Sequence, residues 1–229
     1  MMNLIRLLSA PLLLIGIWVM AGGNTAAGRS ETVIWEVNNL DNISGYKPLV
    51  LGAPVKIADK ESGSLFFDGV DDGLIIPSLP IEGWDKFTIE VLLKPAADGP
   101  SDPRFIHFED EALNRGTMEL RITPEGEWYL DAFLKNGRIN KGLTLIDSTL
   151  LHSCNDWYWT ALVYDGTKMQ SYVNGIKQLE GEVLMPVFSG GRLSIGVRLN
   201  KVNWYKGLIK EIRFHPSAMK EAELQRVLE

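Results

Sequence analysis

Polar and apolar side chains alternate along several short segments of the sequence. In one of them, Met118, Leu120 and Ile122 are apolar and enclose Glu119 and Arg121. Because successive side chains of a strand point to opposite faces, this spacing predicts a strand with one apolar and one charged face. The same spacing in neighbouring segments predicts a shared polar face that carries His107, Glu119, Arg121, Tyr129, Asp131 and Arg198.

A polar face of this kind has the chemistry to bind carbohydrate. Planar guanidinium groups bind hydroxyls or uronate carboxylates, and aromatic rings cover the apolar faces of pyranoses. Trp204 lies in a segment predicted to be a loop at one end of a sheet, where an aromatic ring can stack on a sugar. These residues predict a ligand site on the sheet face or at an end loop.

Two other interpretations of the same residues remain open. In the first, the carboxylates of Glu119 and Asp131 pair with arginines of the same face in a cross-strand charge ladder, each pair contributing about 0.2–1 kcal/mol to stability. In the second, the face is the active site of an enzyme that degrades polysaccharides. His107 would then act as a base near the sugar, beside a tyrosine, while the arginines neutralise a uronate carboxylate.

A cluster of acidic residues in a predicted turn indicates a metal site. Asp68, Asp71 and Asp72 stand together with Gly69 and Gly73. Carboxylate oxygens in a loop suit calcium, so calcium is the candidate cofactor. Aspartate and glycine are also the residues that tight turns need for their geometry, so a purely structural role is the alternative.

The elements that position these residues are predicted to be short strands. Apolar residues recur with a period of two in bursts separated by turn residues, which is typical of an all-β sandwich or barrel. Asp165-Gly166 and Asn174-Gly175 stand between apolar segments and predict two tight hairpins. No long helical segment separates the predicted strands, which argues against parallel βαβ architecture. We therefore predict an all-β fold of two stacked antiparallel sheets, with a short C-terminal helix within residues 219–228.

Composition sets further limits on function. The chain has 229 residues, with 23 Lys and Arg against 29 Asp and Glu, and a formal net charge of −6. Nucleic-acid binders carry a basic footprint for phosphates, so this composition argues against nucleic acid as a partner. The single cysteine, Cys154, cannot form an internal disulfide or a thiolate metal cage, so a packed core must supply the stability.

The first 27 residues have the pattern of a secretory signal peptide. A short basic segment at residues 1–6 precedes an apolar run at 7–21, and small residues follow up to Ala27. The apolar run is short for spanning about 30 Å of hydrocarbon, which disfavours an uncleaved anchor. We expect cleavage after Ala27, export to the periplasm, the cell surface or the medium, and no membrane span after cleavage.

Five segments along the remaining chain carry a family resemblance. They are residues 67–72 (FDGVDD), 87–95 (FTIEVLLKP), 157–166 (WYWTALVYDG), 172–175 (YVNG) and 207–214 (GLIKEIRF). In this order they resemble the laminin G-like domains of the concanavalin A-like lectin and glucanase superfamily. The resemblance implies one antiparallel jelly-roll sandwich over residues 28–229 and a calcium site near the acidic turn.

The resemblance leaves function open between several classes, because this fold hosts lectins, glycan-binding modules, glycosidases, lyases and adhesion domains. We predict an exported glycan-binding or adhesion module that binds carbohydrate, such as a cell-surface glycan, on the concave sheet face or at an end loop. The first alternative is a polysaccharide-degrading lyase or glycosidase of the same fold. The second is a structural domain that binds a protein partner.

Overall fold

The computed structural model describes residues 31–58 and 63–227. The predicted signal peptide, residues 1–27, lies outside the described residues, and the predicted C-terminal helix is described only as far as residue 227. Among the described residues, no helix has the length and apolar character that a membrane crossing requires.

Sixteen strands in this part of the chain form two antiparallel sheets of eight strands each. They are β1 (Val33–Glu36), β2 (Leu49–Leu51), β3 (Val55–Ile57), β4 (Ser64–Asp68), β5 (Gly73–Ile76), β6 (Phe87–Pro95), β7 (Arg104–Glu109), β8 (Arg115–Ile122), β9 (Glu127–Asn136), β10 (Lys141–Ile146), β11 (His152–Ser153), β12 (Tyr158–Tyr164), β13 (Lys168–Val173), β14 (Ile176–Glu182), β15 (Arg192–Ile195) and β16 (Lys206–His215).

The strand order brings segments that are distant in sequence side by side. The first sheet runs β14–β13–β12–β6–β16–β4–β3, and β1 also pairs with β16. The second sheet runs β10–β9–β8–β7–β15–β5–β2, and β11 also pairs with β9. This arrangement confirms the predicted two-sheet antiparallel jelly-roll sandwich.

One face of each sheet contributes to a common hydrophobic core. In the second sheet, Ile106, Met118 and Ala132 lie side by side on β7, β8 and β9 and are fully buried. Trp35 and Trp128 are among the largest buried side chains, and aromatic residues of this size contribute most to core stability. The apolar positions of β8 and β9 therefore face inward, as their alternation predicts. We call the face of each sheet that turns away from this core its outer face.

A β-bulge in β7 decides which of its side chains share a face. The register between β7 and β8 shifts between Arg104 and Ile106. Strict alternation would place Arg104 on the face opposite His107, but the extra residue puts both on the outer face. Phe105 is buried in the core, with its ring centroid 6.3 Å from that of Tyr205.

The C-terminal segment covers part of the outer face of the first sheet. Leu224 packs with Ala161, Val163 and Tyr172 of β12 and β13 in a small apolar cluster. This cluster is separate from the main core, and it removes that part of the first sheet from solvent.

The predicted C-terminal helix is shorter in the structure: of its residues up to 227, Glu221–Glu223 form a single 3₁₀ turn. The reason is that β6 competes for the backbone donors of this segment. Met219 N–H donates to Thr88 Oγ1 (3.0 Å) and Gln225 N–H donates to Glu90 Oε1 (2.7 Å). These bonds hold the segment against the sheet instead of closing helical turns.

Gly116 gives a test of how the core is packed. It lies opposite Phe108, and a Cβ added at Gly116 would come within 2.6 Å of Phe108 Cε1 and Cε2. We expect Gly116→Ala to lower the free energy of unfolding by about 1–3 kcal/mol, because overpacking strains the core. Urea denaturation of Gly116→Ala, Phe108→Leu and the double variant measures the coupling. Purely additive effects would contradict this explanation.

Candidate functional site

Four charged side chains meet on the outer face of the second sheet. The strand register places Arg104 opposite Glu119, Glu119 opposite Asp131, and Arg121 opposite Tyr129. Glu119 and Asp131 are 5% and 1% exposed. We call Arg104, Glu119, Arg121 and Asp131 the charged cluster.

Ion pairs hold the charged cluster together. Arg121 donates to Asp131 Oδ2 through both Nε (3.0 Å) and Nη2 (2.6 Å). Arg104 Nη2 lies 2.9 Å from Glu119 Oε2, an ion pair that lacks the directionality of a hydrogen bond. Arg121 also lies within 4 Å of Glu119 and of Asp102. The cross-strand charge ladder that the sequence left open is therefore present, with Arg104 as a member and without an ion pair to Arg198 among the described residues.

Burial changes the acidity of one of the two carboxylates. Desolvation and the neighbouring charge of Asp131 raise the pKa of Glu119 from its ordinary value of 4.5 to about 7, although Arg104 and Arg121 oppose the shift. Glu119 therefore holds a proton over much of the range in which ordinary glutamates are ionised.

His107 lies on the same outer face, next to the charged cluster along β7. It is 2% exposed, and neither ring nitrogen has a hydrogen-bond partner among the described residues. Burial lowers the pKa of His107 from 6.5 to about 3, and nearby positive charges lower it in the same direction: Arg198, Arg115, Arg104 and Arg192. The imidazole is therefore neutral at physiological pH.

A pocket of about 160 Å³ opens beside His107. We call it the His107 pocket, and it is lined by His107, Glu109, Arg192, Arg198, Leu199 and Asn200. A second pocket of about 420 Å³ shares Glu109 and Arg192 with it and is also lined by Pro77 and Leu113. The two pockets therefore adjoin on the second sheet.

The loop of residues 196–205 brings Arg198 to the His107 pocket. Both ends of the loop bond to β7, since Gly196 N–H donates to Phe105 O (2.9 Å) and Arg104 N–H donates to Asn203 O (2.9 Å). Within the loop, Arg198 N–H donates to Val202 O (3.2 Å). These bonds fold the loop back toward the strand that carries His107.

The predicted site residues fall into two groups. Glu119, Arg121 and Asp131 belong to the charged cluster, with Tyr129 half-buried opposite Arg121. His107 and Arg198 share the His107 pocket. Trp204 is half-buried in the 196–205 loop, directly after Asn203.

Two residues of the site escaped the sequence prediction. Arg104 was missed because the bulge in β7 reverses its face, and no local signal marks that bulge. Arg192 lines the His107 pocket; its position two residues before Ser194 of the same strand predicts the outer face, but it was not among the predicted site residues.

The acidic turn brings Asp68, Asp71 and Asp72 together, with one carboxylate oxygen of each within 4.8 Å of the others. Two of the three carboxylates also shape the turn. Asp68 Oδ1 accepts the backbone N–H groups of Val70 (2.8 Å), Asp71 and Asp72, while Asp72 accepts those of Ala53 (2.7 Å) and Asp68. Partial burial opposes ionisation of Asp68, but these donors outweigh it and lower its pKa. Calcium at this turn stays a prediction.

Comparisons with known proteins identify a family for most of the sandwich. The profile of the family Laminin_G_3, described as the concanavalin A-like lectin/glucanases superfamily, matches residues 67–225. A search of curated protein sequences found no significant match.

Similar solved structures include two binding domains and one domain of an arabinanase. The botulinum neurotoxin serotype D ligand binding domain, solved with N-acetylneuraminic acid, is 14% identical with a TM-score of 0.61, over 86% of this chain and 50% of that one. The binding domain of Paraclostridial Mosquitocidal Protein 1 is 14% identical with a TM-score of 0.62, over 84% of this chain and 50% of that one.

Domain 4 of AbnA, a GH43 extracellular arabinanase from Geobacillus stearothermophilus solved with arabinotriose, is 16% identical with a TM-score of 0.53, over 87% of this chain and 88% of that one. The chain thus spans about half the length of the two binding domains, and most of the length of the arabinanase domain. At these identities the likeness concerns the fold.

The raised pKa of Glu119 predicts a specific pH dependence of stability. Because the folded-state pKa lies above the unfolded value, the folded protein retains the proton longer, and Glu119 lowers the free energy of unfolding as pH rises from about 4.5 to about 7. We expect its contribution to fall by roughly 2–3 kcal/mol over this range and to stay constant above it. Glu119→Gln should remove this loss.

Denaturant unfolding at several pH values measures the difference between the wild-type protein and Glu119→Gln. The exposed Glu125 provides a matched control, because Glu125→Gln removes an equivalent carboxylate from a turn outside the charged cluster. Parallel pH profiles for the wild type and Glu119→Gln would contradict the assignment of the raised pKa.

The acidic turn predicts a second stability effect. Asp68→Ala should lower the free energy of unfolding by about 1–2 kcal/mol even with EDTA present, because three backbone N–H groups lose their acceptor. Asp71→Ala is the control, since the exposed Asp71 carboxylate accepts no hydrogen bond among the described residues. A rise in Tm on addition of calcium that Asp71→Ala abolishes would show that the turn also binds this cation. Equal stability of both variants in EDTA would contradict the structural role of Asp68 in the turn.

Proposed function

Because the chain belongs to the concanavalin A-like lectin/glucanases superfamily, we propose that it is an exported carbohydrate-binding module whose site is the outer face of the second sheet. Export rests on the signal-peptide pattern of residues 1–27. The site comprises the charged cluster, the His107 pocket and the aromatic side chains of Tyr129 and Trp204. In this proposal polar groups of the sheet hydrogen-bond sugar hydroxyls and the rings stack on pyranose faces.

One observation carries this proposal: buried polar atoms without partners gather on this face. Within the described residues, seven buried side-chain polar atoms lack a hydrogen-bond partner, and five of them belong to Arg104, His107, Glu119 and Asp131. One of the five, Glu119 Oε2, has an ion-pair contact with Arg104, and the other four have neither kind of contact. Native proteins pair nearly all such atoms, because each unpaired one costs about 1–3 kcal/mol. A sugar offers hydroxyls that donate and accept, and therefore suits this mixture of donors and acceptors.

The ligands of similar structures support the same function. A neurotoxin domain of this fold was solved with N-acetylneuraminic acid and an arabinanase domain with arabinotriose. The arabinanase domain corresponds to this chain over nearly the full length of both, so an isolated domain of this size and fold can bind an oligosaccharide.

Two features weigh against the enzymatic alternative. A pKa of about 3 makes His107 a weak base near neutral pH, so it is poorly matched to proton abstraction from a sugar. Two nitrogens of Arg121 donate to Asp131 Oδ2, which holds this carboxylate in its ionised form and makes it a weak base. Binding without cleavage is therefore the function that these groups support best.

Retention on immobilised polysaccharides tests this proposal. We expect the purified protein to be retained by at least one polysaccharide in a panel of acidic and neutral polymers, without release of reducing ends or unsaturated products. Trp204→Ala should weaken binding about tenfold through loss of stacking. Trp157→Ala is the matched control, because Trp157 is equally half-buried but precedes β12 of the first sheet.

Three results would contradict the proposal. Absence of retention on every polymer favours the protein-binding alternative. Release of products favours the enzyme. Equal loss of binding in Trp204→Ala and Trp157→Ala would move the site away from the second sheet.

A further inference from the structure

We propose that the His107 pocket binds the carboxylate-bearing sugar of an acidic polysaccharide. Arg192 and Arg198 hold the carboxylate, and His107 holds a neighbouring hydroxyl. This assignment rests on the proposed carbohydrate-binding function and names its ligand class.

The charges of the pocket lining favour an anion. Two arginines face one carboxylate, that of Glu109, which leaves a net positive charge. Among the described residues, neither Arg192 nor Arg198 takes part in an ion pair, whereas Arg104 and Arg121 are both paired within the charged cluster. The two pocket guanidinium groups can therefore turn toward a ligand without breaking an existing pair. A planar guanidinium matches a planar carboxylate through two parallel hydrogen bonds.

His107 gives the pocket a second, different specificity. His107 lines the pocket and is only 2% exposed. Neither of its ring nitrogens has a hydrogen-bond partner among the described residues. Because its pKa is about 3, the imidazole is neutral and offers one donor and one acceptor. A carboxylate can only accept, but a hydroxyl can donate and accept. The pocket is therefore suited to a carboxylate and a hydroxyl on one ring.

The neighbouring pocket indicates a polymer instead of a single sugar. It shares Glu109 and Arg192 with the His107 pocket and has a volume of about 420 Å³. Pro77 and Leu113 contribute apolar surface to its lining, and Leu113 is 61% exposed. The same lining holds the carboxylates of Glu109, Asp110 and Glu111 against one arginine, Arg192, so it repels a second anionic sugar. The next residue of the polysaccharide chain is therefore an uncharged sugar, whose ring covers Pro77 and Leu113.

The test compares carboxylated polymers with their uncharged counterparts. Polygalacturonate, alginate, hyaluronan and polysialic acid are immobilised beside fully methyl-esterified pectin, dextran sulfate and a neutral glucan. We expect at least one carboxylated polymer to bind at least tenfold more tightly than the esterified, sulfated and neutral polymers. Its binding should weaken with added salt, because a charge pair at the protein surface is screened.

Variants of the lining connect this preference to the pocket. Arg192→Ala and Arg198→Ala should each weaken binding of the preferred polymer about tenfold to hundredfold, as expected for losing a hydrogen bond between charged groups. Glu109→Gln should strengthen it severalfold, because it removes the only carboxylate of the lining. Arg138→Ala removes an exposed arginine from the turn after β9 and controls for net charge, so its binding should stay within twofold.

His107→Gln tests the hydroxyl contact and is checked for folding by its thermal unfolding. If His107→Gln does not fold, the variants of Arg192, Arg198 and Glu109 test whether the pocket binds the carboxylate. Equal affinity for esterified or neutral polymers, a preference for dextran sulfate, or unchanged binding in both arginine variants would overturn the carboxylate assignment and leave carbohydrate binding intact. Absence of binding to every polymer would instead overturn the proposed function itself.

Discussion

Two buried carboxylates opposite one another, Glu119 on β8 and Asp131 on β9, constrain the outer face of the second sheet. Buried charges of the same sign are tolerated only when cations or protons neutralise them. Here Arg121 binds Asp131 through two nitrogens, Arg104 lies against Glu119, and Glu119 has a raised pKa. A shift of one residue in either strand would move its carboxylate into the apolar core, so this cluster also favours the observed register.

The two outer faces of the sandwich have different chemistry for a physical reason. On the first sheet, buried Glu90 accepts from Gln225 N–H and lies 2.9 Å from the imidazole of His215, and the C-terminal segment packs over the adjoining apolar side chains. Its polar groups are therefore satisfied within the chain. On the second sheet, His107 lines an open pocket with both ring nitrogens unpartnered, and members of the charged cluster also keep buried atoms without a hydrogen bond. Among the described residues, the second face therefore retains buried hydrogen-bonding groups that a ligand can use.

The sequence allowed the fold and the faces of most strands to be predicted, because alternation with a period of two is a local property. Met118, Glu119 and Arg121 of β8 lie on the faces that this period assigns to them. It failed at Arg104, where one extra residue in β7 reverses the parity, and at the C-terminal segment, where Thr88 and Glu90 of a distant strand take the backbone donors that a helix needs. The pocket itself depends on the path of residues 196–205, which hydrogen bonds to β7 determine. These features depend on contacts between distant segments, and a single sequence does not show them.

The 196–205 loop is attached to the sandwich through backbone hydrogen bonds. The first and last residues of the loop are joined by a hydrogen bond from Tyr205 N–H to Gly196 O (2.8 Å). Backbone hydrogen bonds also connect its two ends to Arg104 and Phe105, which are consecutive residues of β7. None of these bonds uses a side chain, so the tip of the loop can change in sequence while its anchor points keep their positions. Substitution of a few residues in the loop can thus change the chemical surface beside His107 while the sandwich and the anchor points stay the same.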